Sequence, residues 1–247
     1  MNDGPPGTAR RALVTGASGD IGSAIARRLA ANGHDVICHA GSNLARVQAL
    51  ADDIIKAGGA ARAVAFDVTD AAASRDACEA LLADGPIQIL INNAGAHDDA
   101  VFPGMSAAQW SRVVDVNLNG FFNVTHPLTM PMLRSRWGRI VSLSSVAALM
   151  GNRGQVNYAA AKAALHGATR SLALELASRG VTVNCVAPGI VAGAMSAAAF
   201  DQAAVERMVP MKRACRPEEV AALVAFLTSD EAAYISGQVI SINGAMA

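Results

Sequence analysis

No excess of either charge marks this sequence of 247 residues, in which 20 Lys and Arg balance 20 Asp and Glu. That balance argues against a basic face for nucleic acid and against the acidic excess of a disordered chain, so a small ligand is expected. Cysteine is sparse as well. Cys38, Cys78, Cys185 and Cys215 lie far apart with no C-x-x-C between them, a pattern of reduced thiols rather than of disulfides or zinc ligands. Such thiols suit the cytoplasm, and no metal site is expected. No apolar run approaches eighteen residues, and Met1 to Ala9 offers Gly and two Pro where a signal peptide would have an apolar core. The expectation is a soluble protein with a loose tail over 1–9. Neither a linker nor an internal repeat interrupts the rest, so 10–247 is read as one domain with a sizeable core.

Apolar residues make up 52% of the chain and fall into short β-branched runs that alternate with longer helical patterns. This alternation predicts an α/β fold, a parallel sheet with helices on both faces. Strands are expected at 11–15, 35–39, 61–66, 87–92, 139–144, 181–186 and 239–242, seven in all. The first helix is read over 20–32, with Ile21, Ile25 and Leu29 on one face and Gly33 at its C-cap.

Three motifs stand at the ends of these strands. Thr15-Gly16-Ala17-Ser18-Gly19-Asp20-Ile21-Gly22 joins the first strand to the first helix, where glycines permit a tight turn and the close approach of a pyrophosphate. Asp67 and Val68 follow the third strand. Asp70 is read as a helix N-cap, which leaves Asp67 free to accept from an adenine amino group. Asn92-Asn93-Ala94-Gly95 follows the fourth strand. Further on, Tyr158 and Lys162 lie four apart on a predicted helix and so share a face, where the ammonium would draw the phenol pKa down. The same spacing occurs on solvated helical faces; its meaning comes from the company it keeps.

Together with Asn117, Ser145 and Pro188-Gly189, these motifs make the chain resemble the short-chain dehydrogenase/reductases over nearly its whole length. Gly138-Arg139-Ile140-Val141, Gly154 to Lys162, and the ending Ile235-Ser236-Gly237-Gln238 to Asn243-Gly244 resemble in particular the 3-oxoacyl-(acyl carrier protein) reductases. The resemblance implies a Rossmann-type doubly wound sheet and a tetrad of Asn117, Ser145, Tyr158 and Lys162. In that tetrad Tyr158 is the acid, Ser145 holds the carbonyl, Lys162 serves both Tyr158 and the ribose, and Asn117 holds a water. Implied cofactor contacts are Gly16, Ser18, Asp20, Ile21, Gly22, His39, Ser42, Asn43, Asp67, Val68, Asn93, Ala94, Gly95, Pro188, Gly189 and Val191, with Gln155 on the substrate side. NADPH is the expected cofactor, because His39-Ala40-Gly41-Ser42-Asn43 ends the second strand without the acid that an NAD ribose wants. Ser42, Asn43 and His39 are the candidate donors to a 2′-phosphate.

Two departures from the family's pattern bear on the same cleft. Asp20 stands where a glycine is usual and is expected to turn away from phosphate and cap the helix. Gly193-Ala194-Met195 replaces a Thr-Asp-Met stretch, which makes 192–209 an expected flexible lid over the substrate. His97 is read as a loop-lining or solvated residue rather than a catalytic one. Asp98 and Asp99 are read as facing water, and Trp110, Phe121 and Phe122 as core or interface. The resemblance also implies a homotetramer, paired through the helices around 107–133 and 157–179. Its docking arginines for an acyl carrier protein would be Arg136 and Arg179, placed on segments that lead into the active site. The expected activity is NADPH-dependent reduction of a carrier-bound 3-oxoacyl thioester in fatty acid or polyketide-type synthesis. Another ketone or alcohol, acetoacetyl-CoA, and a cofactor-binding protein without turnover remain as alternatives.

Overall fold

The computed structural model describes residues 9–194, 196 and 200–247; the tail over 1–8, Met195 and residues 197–199 of the expected lid lie outside the described residues. In chain order the larger elements are β1 Arg11–Val14, α1 Asp20–Ala31, β2 Asp35–Ala40, α2 Leu44–Lys56, β3 Ala60–Ala65, α3 Ala71–Leu82, β4 Ile89–Asn92 and α4 Ala107–Val114. They continue with α5 Gly120–Ser135, β5 Gly138–Leu143, α6 Ala147–Met150, α7 Val156–Leu176, β6 Val181–Pro188, α8 Gln202–Met208, α9 Pro217–Thr228 and β7 Val239–Ile242. One parallel sheet holds all seven expected strands in the order β3-β2-β1-β4-β5-β6-β7.

Residues next to each other in a strand go to opposite faces. Val14, Val36 and Ile91 pack against Ile25 and Leu29 of α1 and Val224 of α9. Leu13, Ile37 and Leu90 pack against Val124 and Leu128 of α5 and Leu176 of α7. Covering both faces is what gives β4, β5 and β6 their unbroken buried runs. Strand limits move by a residue or two from the sequence reading. β4 starts at Ile89, whose neighbour in β1 is Ala12, while β6 runs on to Pro188 because its last residues pair with β7 up to Ile242.

Helix α1 ends with Asn32 at the cap and Gly33 just beyond it, at φ +87°. The Gly33 and His34 amides donate to Ala30 O and Leu29 O, closing the carbonyls that the last turn leaves open. Three thiols are buried, and burial pushes Cys38 and Cys78 up to about 12 and Cys185 up to about 11. Cys215 differs in being partly exposed. Among the described residues no helix is long and apolar enough to cross a membrane.

Candidate active site

Between β1 and β4 the chain's crossovers change direction, the place beyond the strand ends at which open α/β sheets bind ligands. The glycine turn lies there. Thr15 Oγ1 accepts from the Asn93 and Ala94 amides, both at 3.0 Å, and Asn93 Nδ2 donates to Thr15 O at 2.9 Å and Gly16 O at 3.0 Å. Asn93 therefore spends its donors inside the protein and supports the turn. Gly16 has φ +64°, and a Cβ on it would come within 2.8 Å of Ala94 Cα. At Gly22 a Cβ would run into Gly16 O and Ala17. Both glycines are required by packing. Among the described residues Gly19 has only Gly16 O nearby, at 3.6 Å. Ser18 is half-buried beside it, and Ile21 packs on the core.

His39 does not serve as expected. It is 1% exposed; its Nε2 pairs with Phe66 O at 2.8 Å and its Nδ1 accepts from the Gly16 amide at 3.3 Å, which leaves no ring nitrogen for a phosphate. Burial pulls it down to about 4, from 6.5, so it stays neutral and braces the turn from behind. Because the folded value lies below the unfolded one, this part of the stability is present above pH 6.5 and is lost as pH falls from 6.5 to 4. The loss should amount to about 3 kcal/mol. His39→Gln keeps a donor for Phe66 O without a proton to gain; its urea midpoint should change less between pH 7 and pH 4.5 than that of the unsubstituted protein.

Of the other expected contacts, Ser42 is exposed, and Asn43 caps α2 by accepting from the Arg46 amide at 3.0 Å, which leaves its NH₂ group outward. Asp70 does cap α3, accepting from the Ala72 and Ala73 amides. Asp67 has a local duty after all: its Oδ1 accepts from Thr69 N at 2.9 Å and Thr69 Oγ1 at 2.8 Å, an Asx turn. Val68 is buried against Gly120, and its carbonyl accepts from Asn123. Gly189 is held against Asn243 of the C-terminal strand's exit, and Val191 bridges to Cys215.

Asp20 does not cap α1. Gly19 is the N-cap and receives no side-chain bond; the Asp20 carboxylate instead accepts from the Ala194 amide at 3.2 Å.

The tetrad converges from β5, α7 and the helix junction before α5. Ser145 follows β5, with its Oγ accepting from the Ala147 amide at 3.1 Å. Tyr158 is half-buried on α7 and Lys162, one turn on, is 4% exposed. Asn117 sits in a π-helical turn, Asp115–Asn119, where one extra residue turns its side chain into the interior. Its Nδ2 donates to Ala96 O at 2.7 Å and Val113 O at 2.8 Å, while its buried Oδ1 has no partner among the described residues. A Cβ on Gly95 would fall 2.9 Å from that oxygen and 3.3 Å from Lys162 Nζ. Next to them is a cavity of about 10 Å³, lined by the polar Thr15, Asn92, Asn117 and Lys162 and by apolar residues including Val68 and Leu165, which is room for about one water.

Lys162 Nζ donates to Leu143 O at 2.7 Å and stands 5.8 Å from the Tyr158 ring centre. Burial pulls the ammonium down to about 8. The phenol does not move as expected. Its pKa is raised, by burial first and also by the Asp99 carboxylate, against the opposing hydrogen bond with Ser145. The ammonium spends its bond on a main-chain carbonyl, and loss of hydration decides the direction for the phenol.

The rim is tied together by polar side chains. Gln155 accepts from Asn152 and donates to Asp99 Oδ2 at 2.8 Å, so both ends of its amide are engaged. His97 pairs with Asp99 at 3.3 Å and is exposed. Asp98, expected in water, is partly buried and anchors the loop to Gln109 and Arg112 of α4. Trp110 and Phe122 are exposed and so are not core; Phe121 is half-buried at the small cavity. In the expected lid, Val205 of α8 and Val209 are buried against Ile190.

Arg136 and Arg179 come together, Arg136 donating to Ser178 O at 3.3 Å, but at the wrong end. They precede β5 and β6, whereas Ser145 follows β5. A six-residue strand spans about 20 Å, so they do not lead into this chain's own site as expected.

A model of the short chain dehydrogenase family matches residues 10–204. The 3-oxoacyl-[acyl-carrier-protein] reductase FabG of Aggregatibacter actinomycetemcomitans is 44% identical, over 95% of this chain and 98% of its own. That of Escherichia coli is 43% identical over 95% and 96%, and nodulation protein G of a Rhizobium species is 43% identical over 97% and 98%. The chain therefore belongs to the short-chain dehydrogenase/reductase family.

Proposed function

We propose that this protein reduces a 3-oxoacyl thioester, carried on an acyl carrier protein, to the 3-hydroxyacyl thioester with NADPH. The observation that carries this reading is a half-buried neutral phenol beside Ser145, backed by a buried lysine and an Asn117 oxygen without a partner among the described residues. The full-length likeness to two curated reductases of that activity supports the substrate class.

The glycine turn and the first amides of α1 fit a dinucleotide, since Gly16 and Gly22 keep side chains out of the turn and Gly95 keeps one off Asn117 and Lys162. NADPH, when bound, supplies the hydride. Ser145 holds the substrate carbonyl by a hydrogen bond, and Tyr158 gives its proton to the carbonyl oxygen. The raised pKa keeps that proton on the phenol until it is needed. Lys162 and a water in the cavity beside Asn117 Oδ1 return a proton from solvent. Preference for NADPH is supported by the absence of an acid in Ala40-Gly41-Ser42-Asn43, with the Ser42 hydroxyl and the Asn43 NH₂ as donors to the 2′-phosphate. The buried thiols suit a reducing compartment such as the cytoplasm.

Trp110, Phe122, Met130 and Leu174 are exposed on α4, α5 and α7, an apolar face that supports pairing of copies into a homotetramer. Across such a pairing Arg136 and Arg179 would hold a carrier for another subunit's Tyr158. Arg136→Glu with Arg179→Glu should raise KM for a carrier-bound 3-oxoacyl group, more so at low salt, and leave the same group on a small thiol unaffected. Equal losses on both substrates would remove the docking role.

A further inference from the structure

Two features of this chain that looked unrelated in the sequence meet in space. Asp20 and Ala194 are 174 residues apart, yet the Asp20 carboxylate accepts from the Ala194 amide at 3.2 Å. The same oxygen takes the space a side chain would need at residue 193: a Cβ on Gly193 would collide with Asp20 Oδ2. Gly193 does not have a positive φ, so its backbone does not call for glycine; the neighbour does. The segment is held from its other sides as well. Ala192 N donates to Cys215 O at 2.8 Å, and Ser196 Oγ donates to Gly193 O at 3.1 Å.

The consequence is electrostatic. Asp20 is the first residue of α1, whose open amides attract a negative charge, its own or a ligand's. A carboxylate free at that position would bond those amides and repel a phosphate. Here, among the described residues, the carboxylate's bond is to the Ala194 amide instead.

We propose that the Gly193–Ala194 segment parks the Asp20 carboxylate away from the anion-binding end of α1, so that the side-chain-free residue 193 sets the affinity for the dinucleotide. Asp20 and Gly193 are thus positioning residues. The inference rests on the dinucleotide reading of the glycine turn given above.

The test is a double-mutant cycle read by direct NADPH titration, with thermal melting of the ligand-free proteins beside it. Gly193→Ala should displace the carboxylate and weaken NADPH binding about tenfold, the scale of one unit charge brought near another at a protein surface. Asp20→Ala alone should change the dissociation constant less than about threefold, and Asp20→Ala with Gly193→Ala should return to the Asp20→Ala value. The Gly193→Ala penalty should shrink as salt rises towards 1 M, which a packing defect would not do. Asp20→Glu leaves Gly193 in place but carries the charge on a longer arm that does not fit the gap, and it too should bind NADPH more weakly. Ligand-free melting should show the same non-additivity between Asp20 and Gly193. Additive losses, or a Gly193→Ala penalty that persists without Asp20, would overturn the proposal while leaving the oxidoreductase reading intact. Failure of the unsubstituted protein to bind NADPH would instead overturn the dinucleotide reading and this role with it.

Discussion

Tyr158→Phe is expected to lower kcat by about 10² to 10⁴, the range that general acid assistance spans, with the dissociation constant for NADPH changed less than about twofold. The ring stays and so does its packing on α7. What is lost is the proton that the phenol keeps at neutral pH, since burial and Asp99 both raise its pKa. Because the folded value lies above the unfolded one, the neutral phenol also adds stability that is present below the ordinary tyrosine value and is lost at higher pH. Stopped-flow reduction of an acetoacetyl thioester reads the effect at a single turnover. A variant that kept half of the rate would assign the proton to another group.

Lys162→Met should cost as much in turnover and, unlike the tyrosine change, weaken NADPH binding about tenfold, because the role that the family resemblance implies gives one ammonium to both the phenol and the nicotinamide ribose. It should also stabilise the protein. The ammonium is buried, satisfied by Leu143 O and pulled down to about 8 from 10.5, a shift worth about 3 kcal/mol against folding in its charged form. The sign comes from the depressed value: the cost is complete below pH 8 and fades as pH rises towards 10.5. Thermal melts of Lys162→Met and the unsubstituted protein should differ most at pH 7 and converge by about pH 10. A destabilised Lys162→Met at pH 7 would mean that the bond to Leu143 outweighs the burial.

The sheet was legible because each strand is a short apolar run bounded by turn residues, and Leu13 beside Val14 serves two faces with one residue type. Tyr158 and Lys162 were legible because helical spacing fixes their shared face. The π turn around Asn117 was not: one residue added to a helix leaves no mark on hydrophobic periodicity, and the orientation of Asn117 depends on it. His39 reads the same in sequence whether its nitrogens face a ligand or Gly16 N and Phe66 O. Asp20 was expected to cap its own helix, the local choice, and a partner far along the chain won. For Arg136 and Arg179, closeness in sequence to β5 and β6 suggested closeness to the site. Parallel strands decide otherwise, since the residues leading into a strand and the residues leaving it lie at opposite ends of the sheet.

The proposed activity is that Tyr158 protonates the carbonyl of a 3-oxoacyl thioester with NADPH as reductant. NADPH oxidation followed at 340 nm, a wavelength at which the reduced nicotinamide absorbs, against carrier-bound acetoacetyl, acetoacetyl-CoA, free ketones and steroids, tests it most directly. The account predicts the highest kcat/KM for the carrier-bound thioester and at least about tenfold less for NADH than for NADPH. Turnover of a free ketone or steroid above every thioester, or a preference for NADH, would contradict it.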